Sequence, residues 1–229
     1  MEGSQMNTNA KIIVLSVGCL LSLTACVSTR TTGVSNDSAS AMHGKSMAIS
    51  QRAKPDFSAM TAGKAMFAMV GAFAMISAGN KIVADNNIED PGPFVADQLR
   101  QAFENKYGLV AAAGTAPLAD TMDTRKLASL YAAGDFVLDV QTVNWSFLYR
   151  PNLTHYRVLY SVKVRLIETH GAKLLAEAFC YRKDDDDKNP PTHEELLANQ
   201  AALLKTRLHD HAVECAGELT NKLLGATLS

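Results

Sequence analysis

Large apolar and polar residues alternate most regularly between Phe136 and Tyr181. Phe136, Leu138 and Val140 alternate with Val137, Asp139 and Gln141, and past Thr142 the large positions change parity to Val143, Trp145, Phe147 and Tyr149. A phase change inside one strand predicts a β-bulge. After a turn at Arg150-Pro151-Asn152-Leu153, Tyr156, Val158, Tyr160, Val162, Val164 and Leu166 alternate with Arg157, Ser161, Lys163 and Arg165. That pattern predicts a half-buried antiparallel strand with a polar outer face. His170-Gly171 turns the chain into a third strand, Lys173 to Tyr181, with Leu174, Ala176, Ala178 and Cys180 on one face.

Helical periods flank this meander. Asp90-Pro91 opens a helix with an apolar stripe of Phe94, Val95, Leu99, Ala102 and Phe103, which Gly108 closes as a left-handed cap. Asp123 or Thr124 caps a short helix through Leu127, Leu130 and Tyr131, stopped by Gly134. Thr192 and Glu195 form a capping box for a long last helix. Leu197, Ala201, Leu204, Leu208, Ala212, Cys215, Leu219 and Leu223 make one continuous stripe along it, at spacings of three or four. Lys81-Ile82-Val83-Ala84 and Leu109 to Ala112 read as short strands. The predicted fold class is α+β: a small mixed sheet with a three-strand antiparallel meander, packed against helices that include a long C-terminal one.

The amino-terminal end follows another logic. Lys11 precedes the apolar run Ile12 to Leu23, and the small residues Thr24-Ala25 lead directly into Cys26. The run is too short for a bilayer span, which needs about 20 apolar residues, and has the layout of a secretory signal. Met6 is a plausible start, because Met1 to Gln5 places Glu2 where such signals are basic. Leu23-Thr24-Ala25-Cys26 resembles the lipobox of bacterial lipoprotein precursors. The resemblance implies a diacylglycerol on the Cys26 sulfur, cleavage before it and an acylated new amino terminus; two or more acyl chains make a stable anchor. Val27 and Ser28 follow, without the aspartate that resembles an inner-membrane retention signal. The expected place is the outer membrane, facing the periplasm.

The lipobox also sorts the four cysteines. Cys19 leaves with the signal and Cys26 carries lipid, which leaves Cys180 and Cys215 in an oxidising compartment, where a disulfide is expected. The strand face holding Cys180 and the helix stripe holding Cys215 put both sulfurs at one interface. Two inert buried thiols are the other reading.

Composition narrows the function. Apolar residues make up 47%, charged residues 20%, and the net charge is −1. There is no basic footprint for nucleic acid, and a single Trp offers little for base stacking. Residues 1–25 are read as the signal, 26–60 as a disordered tether reaching about 30 Å, and 61–229 as one α+β domain. Thr61 to Gly79 is apolar on every face, and Gly63, Gly71 and Gly79 recur every eight residues. Such a helix is either packed inside the domain, or it inserts into a membrane or pairs closely with another helix.

No motif signs an active site. His209 and His211 are two apart and point to different sides of a helix, so neither reads as a metal ligand. Asp184 to Asp187 lack the spacing of a calcium loop and read as solvated. There is no Gly-x-Ser-x-Gly elbow and no phosphate loop. Trp145, Phe147 and Tyr149 either form an exposed aromatic strip for a partner or cover the core beyond the bulge. From Lys81 to Tyr181 the element order resembles the small domain shared by the curli-secretion lipoprotein, the lipoprotein activators of penicillin-binding proteins and the amino-terminal domain of the Tol propeller protein. Gly134-Asp135-Phe136-Val137-Leu138 stands where those domains enter their first long strand. The resemblance implies a periplasmic interaction domain and carries no site residues. The expectation is a non-enzymatic, membrane-anchored assembly module without metal or cofactor, which binds an envelope protein or its own copies. The alternatives are a pore-forming lipoprotein using residues 61–79 and a hydrolase without a recognisable motif.

Overall fold

The computed structural model describes residues 30–60, 70–152, 154–184 and 188–225. In chain order the elements are α1 (Asn36–Ser40), β1 (Ser46–Ile49), β2 (Gln51–Arg52), β3 (Ser58–Ala59), α2 (Val70–Asp85), α3 (Gly92–Tyr107), β4 (Val110–Ala111), β5 (Leu118–Ala119), α4 (Thr124–Leu130), β6 (Phe136–Tyr149), β7 (Tyr156–Glu168), β8 (Lys173–Lys183) and α5 (His193–Leu224). The fold is α+β, as the alternation and the caps predict. The main sheet has the order β4-β1-β6-β7-β8, with β3 also paired to β6, and β2 pairs separately with β5.

The β6–β7–β8 meander is antiparallel, and the register of β6 shifts between Thr142 and Asn144, where the parity change placed a bulge. The bulge lets Leu138 and Val140 before it, and Trp145, Phe147 and Tyr149 after it, reach the same core. A second register shift, between Leu166 and Ile167, turns Leu174 out to solvent while Ala176, Ala178 and Cys180 stay buried. These small residues let α5 lie close, and the Cys180–Cys215 disulfide joins it to β8 with the Cα atoms 5.5 Å apart. The capping box at Thr192 and the left-handed cap at Gly108 form as read, and α3 begins one residue later than expected, with the Asp90 carboxylate accepting from the Gly92 N–H at 2.9 Å.

Five expectations are corrected. Residues 30–60 are part of the domain, not tether: β1 lies parallel between β4 and β6, and Met42, Met47, Phe57 and Ala59 are core residues. Their strands are two to four residues long, too short to leave a period in a Ser/Thr-rich stretch. Lys81 to Ala84 lie in the last turn and a half of α2, not in a strand. The outer face of β7 is buried at Ser161 and Arg165, and at its Arg165–Ile167 end α4 and the β5 region cover it, with Val137, Ile167, Leu127 and Tyr131 forming a second small core. The stripe of α5 is interrupted: Asn199, Gln200 and Ala201 have φ of 53°, 57° and 57°. Each such left-handed residue costs about 1–2 kcal/mol, and the break makes Leu196 rather than Leu197 the fully buried residue of the first turn. Trp145, Phe147 and Tyr149 are no partner surface. They are 1%, 1% and 7% exposed, because Phe57 packs edge-on against Trp145 at 5.0 Å and the indole N–H donates to the Pro55 carbonyl at 3.0 Å.

Of the apolar segment, residues 61–69 lie outside the described residues. In the described part, Gly79 of α2 sits directly on the backbone of Phe57, where any Cβ would run into the Phe57 carbonyl oxygen. Asn80 adds a clip, accepting from the Phe57 N–H at 2.9 Å and donating to Asp56 at 2.7 Å. This glycine serves a helix–strand approach, not a helix pair. Gly79→Ala is expected to cost about 1–3 kcal/mol in a urea titration, because backbone must move to make room.

Candidate functional site

β1 is the point at which the topology reverses. The chain leaves β1 through α2 and α3 to reach β4 on one side. It leaves β4 through α4 to reach β6 on the other side. All three strands run parallel. In parallel sheets a crevice opens outside the carboxyl ends of strands at such a reversal, and ligands bind there.

A cavity of about 700 Å³ occupies that crevice. Its floor is Met47 to Arg52 with Val140. Its walls are Pro93, Ala96, Asp97 and Arg100 of α3 on one side, and Ala111 to Leu118 with Tyr131 on the other. The volume is in the range of small-molecule and peptide-segment sites. Between β4 and β5 the chain bows away from Ala48, Ile49 and Ser50, which keep no partner strand on that side. The Tyr131 hydroxyl holds the bow in place, donating to the Pro117 carbonyl at 2.5 Å and accepting from the Gln51 N–H at 2.9 Å. Leu118, 60% exposed, leaves an apolar lip at the rim.

Charge is distributed unevenly around this space. At the α3 end, Asp90 accepts from Gly92 and from the Thr142 hydroxyl at 2.5 Å. Burial pushes its carboxyl above the ordinary carboxylate range, against the pull of those two bonds and of Lys54. Gly92 is required here, because a Cβ would meet Thr142 Oγ1 at 2.8 Å. Arg100 is bracketed by Asp97 and Glu104, each at 2.6 Å. Behind the floor, Asp139 sits between two arginines: Arg52 at 2.7 Å and Arg165 at 2.6 Å, with the Ser50 hydroxyl at 2.7 Å. The arginines donate onward to the carbonyls of Thr121 and Met122, which ties the segment before α4 to the sheet. The lining holds no histidine or cysteine.

The other residues singled out from sequence fall elsewhere. Cys26 lies outside the described residues, as do residues 185–187 of the aspartate run. Asp184 is buried rather than solvated: it meets His211 Nε2 at 2.8 Å, accepts from the Val158 N–H at 3.1 Å, and lies 3.4 Å from Arg207. Burial opposes its charge, but His211, Val158 and Arg207 together hold its pKa below the ordinary value. The pair fixes the end of β8 on α5, remote from the cavity lining. His209 packs against Phe94 at 4.9 Å. Among the described residues, no group of three or more His, Cys, Asp and Glu is placed to hold a metal ion.

Asp135, in the Gly-Asp step before β6, accepts from the Ser46 N–H at 2.8 Å and the Ser46 hydroxyl at 2.9 Å. These bonds, helped by Lys45, pull its pKa down to about 2. A depressed carboxylate contributes stability above its unfolded pKa and loses it as pH falls through the folded one. Stability is therefore expected to decline between about pH 4 and pH 2, and Asp135→Asn should flatten that limb of a urea-midpoint series while lowering the neutral plateau.

No family model matches the chain, and no curated protein matches it. Solved structures similar to it include a lipoprotein of Neisseria meningitidis, 12% identical over 76% of this chain and 99% of that one, TM-score 0.27. A protein of Xanthomonas campestris is 10% identical over 85% and 94%, TM-score 0.35. The PelC dodecamer of Paraburkholderia phytofirmans is 11% identical over 80% and 92%, TM-score 0.32. Likenesses this low carry no family, ligand or partner over to this chain.

Proposed function

We propose that this chain is a lipid-anchored envelope protein, tethered through an acylated Cys26 in the outer membrane and facing the periplasm, whose domain is a non-enzymatic binding module with the crevice cavity as its site. The observation that carries the reading is the Cys180–Cys215 disulfide. The lipobox leaves those two cysteines and no others, and a structural disulfide belongs in an oxidising compartment. The cavity supports binding: it is roomy, largely apolar, and its charged groups Arg52, Asp90, Asp97 and Arg100 are each held by protein partners. The buried Asp184–His211 pair, apart from the cavity, gives the hydrolase alternative little to work with.

The test of the binding site is in-cell photocrosslinking from a benzoylphenylalanine at Leu118. The reading expects a discrete adduct with an envelope partner or a second copy. Ala113→Trp, at an exposed rim position, should abolish it without changing the melting temperature. An adduct indifferent to the tryptophan would remove the cavity from the account.

Membrane insertion by residues 61–79 rests on one observation, the 82% exposure of Phe73. Among the described residues no helix is long and apolar enough to cross a membrane. Phe73→Asp separates the two. The binding-module reading expects unchanged membrane association of the acylated chain; insertion expects loss of any vesicle leakage.

A further inference from the structure

We infer that the anchor holds the domain directly on the bilayer, with the β8 edge and the end of α5 against the phospholipid headgroups and the cavity turned away. The inference rests on the acylation of Cys26 proposed above. The chain reaches a paired strand edge only six residues after Cys26. The Thr32 N–H donates to the Glu177 carbonyl at 2.7 Å and the Glu177 N–H returns a bond to Thr32 at 2.9 Å, so the chain is paired to the free edge of β8. Two residues on, the Val34 N–H donates to the Leu223 carbonyl at 2.8 Å, in the last turn of α5. Gly33 allows this, since a Cβ would lie 2.9 Å from the Lys222 carbonyl oxygen.

Five residues, 27–31, therefore separate the lipid attachment from fixed structure. Six Cα steps span at most about 20 Å fully extended. The headgroup layer takes up about 5–8 Å of that on each side of the hydrocarbon. The remainder is shorter than the sheet is long, since the 14 residues of β6 extend over about 46 Å. Thr32 is therefore kept within about 12–15 Å of the headgroups, and it fixes which part of the domain is nearest to them.

That part suits its neighbour. Arg30, Lys106 and Lys173 are exposed there. Lys106 donates to the Leu224 carbonyl, which holds its ammonium at the end of α5, while Lys222, bonded to the Phe179 carbonyl at 3.0 Å, already has its charge paired with Glu218 at 2.5 Å. Phosphates of the headgroup layer are the complementary charge. The cavity lies by β1 and β4, toward the other edge of the sheet, three to four strand spacings or about 14–19 Å from β8. A partner in the periplasm reaches it without crossing the membrane face.

The test uses the full acylated chain in vesicles of phosphatidylethanolamine and phosphatidylglycerol, with benzoylphenylalanine at Lys173, Asn221, Leu118 or Phe73 in turn. After irradiation, lipid adducts are expected at 173 and 221, and only background at 118 and 73. Even labelling of all four positions, or adducts confined to 118 or 73, would overturn the docking. The intact mass of the same samples keeps the two ideas apart: an acylated chain labelled evenly fails the docking alone, and a chain without acyl mass fails the anchor and the docking with it.

Discussion

Asp139→Ala is expected to cost about 3–5 kcal/mol, the largest loss from any single side chain in the domain. The side chains of Asp139, Arg165 and Arg52 are 2%, 6% and 11% exposed, so the substitution strands two guanidinium groups in a water-poor layer with no carboxylate. The Ser50 hydroxyl loses its acceptor as well. The damage extends to the cavity, because Arg52 and Arg165 hold the carbonyls of Thr121 and Met122. Arg165→Met should cost less, since Asp139 keeps Arg52. A urea titration at neutral pH checks the order. A loss below about 1 kcal/mol for Asp139→Ala would mean that water reaches the cluster freely.

Removing the disulfide has the second-largest expected effect. Its cysteines are 35 apart in sequence, and constraining a loop of that size in the unfolded chain corresponds to about 4 kcal/mol in the chain-entropy model. Native packing compounds the loss. Cys180 and Cys215 are fully buried between β8 and α5, close to Arg182, which bonds Glu214 at 2.8 Å and Glu218 at 2.5 Å. Cys180→Ala with Cys215→Ala should lower the urea midpoint accordingly, and reductant should do the same to the parent chain but add nothing to the double variant. Equal sensitivity of parent and variant to reductant would show that the bond does not form in solution.

Features written in local chemistry were legible in the sequence. The bulge at Thr142, the capping box at Thr192 and the left-handed Gly108 each follow from a few adjacent residues. Long strands and helices were legible for the same reason, since their periods repeat many times. Position in the sheet was not. β1, β2 and β3 are four, two and two residues long, and their places come from parallel partners far along the chain. Lys81 to Ala84 are a run too short to tell strand from helix, and the preceding turns of α2 decide it. Asp139 alternates as an outward residue should, and only the cover of α4 makes its face interior. The aromatic strip was ambiguous because outward and inward aromatics alternate alike until Phe57 arrives from the amino-terminal segment. The cavity had no sequence signature, because it is a gap between backbones at a reversal of topology.

In the function proposed above, one sulfur holds this domain at a membrane. The intact mass of the mature chain purified from the membrane fraction tests this most directly. The account predicts a chain beginning at Cys26 that carries diacylglyceryl and amino-terminal acyl mass, with the Cys180–Cys215 pair oxidised. A chain that retains residues 1–25, or one that begins at residue 26 with no added lipid, would contradict it.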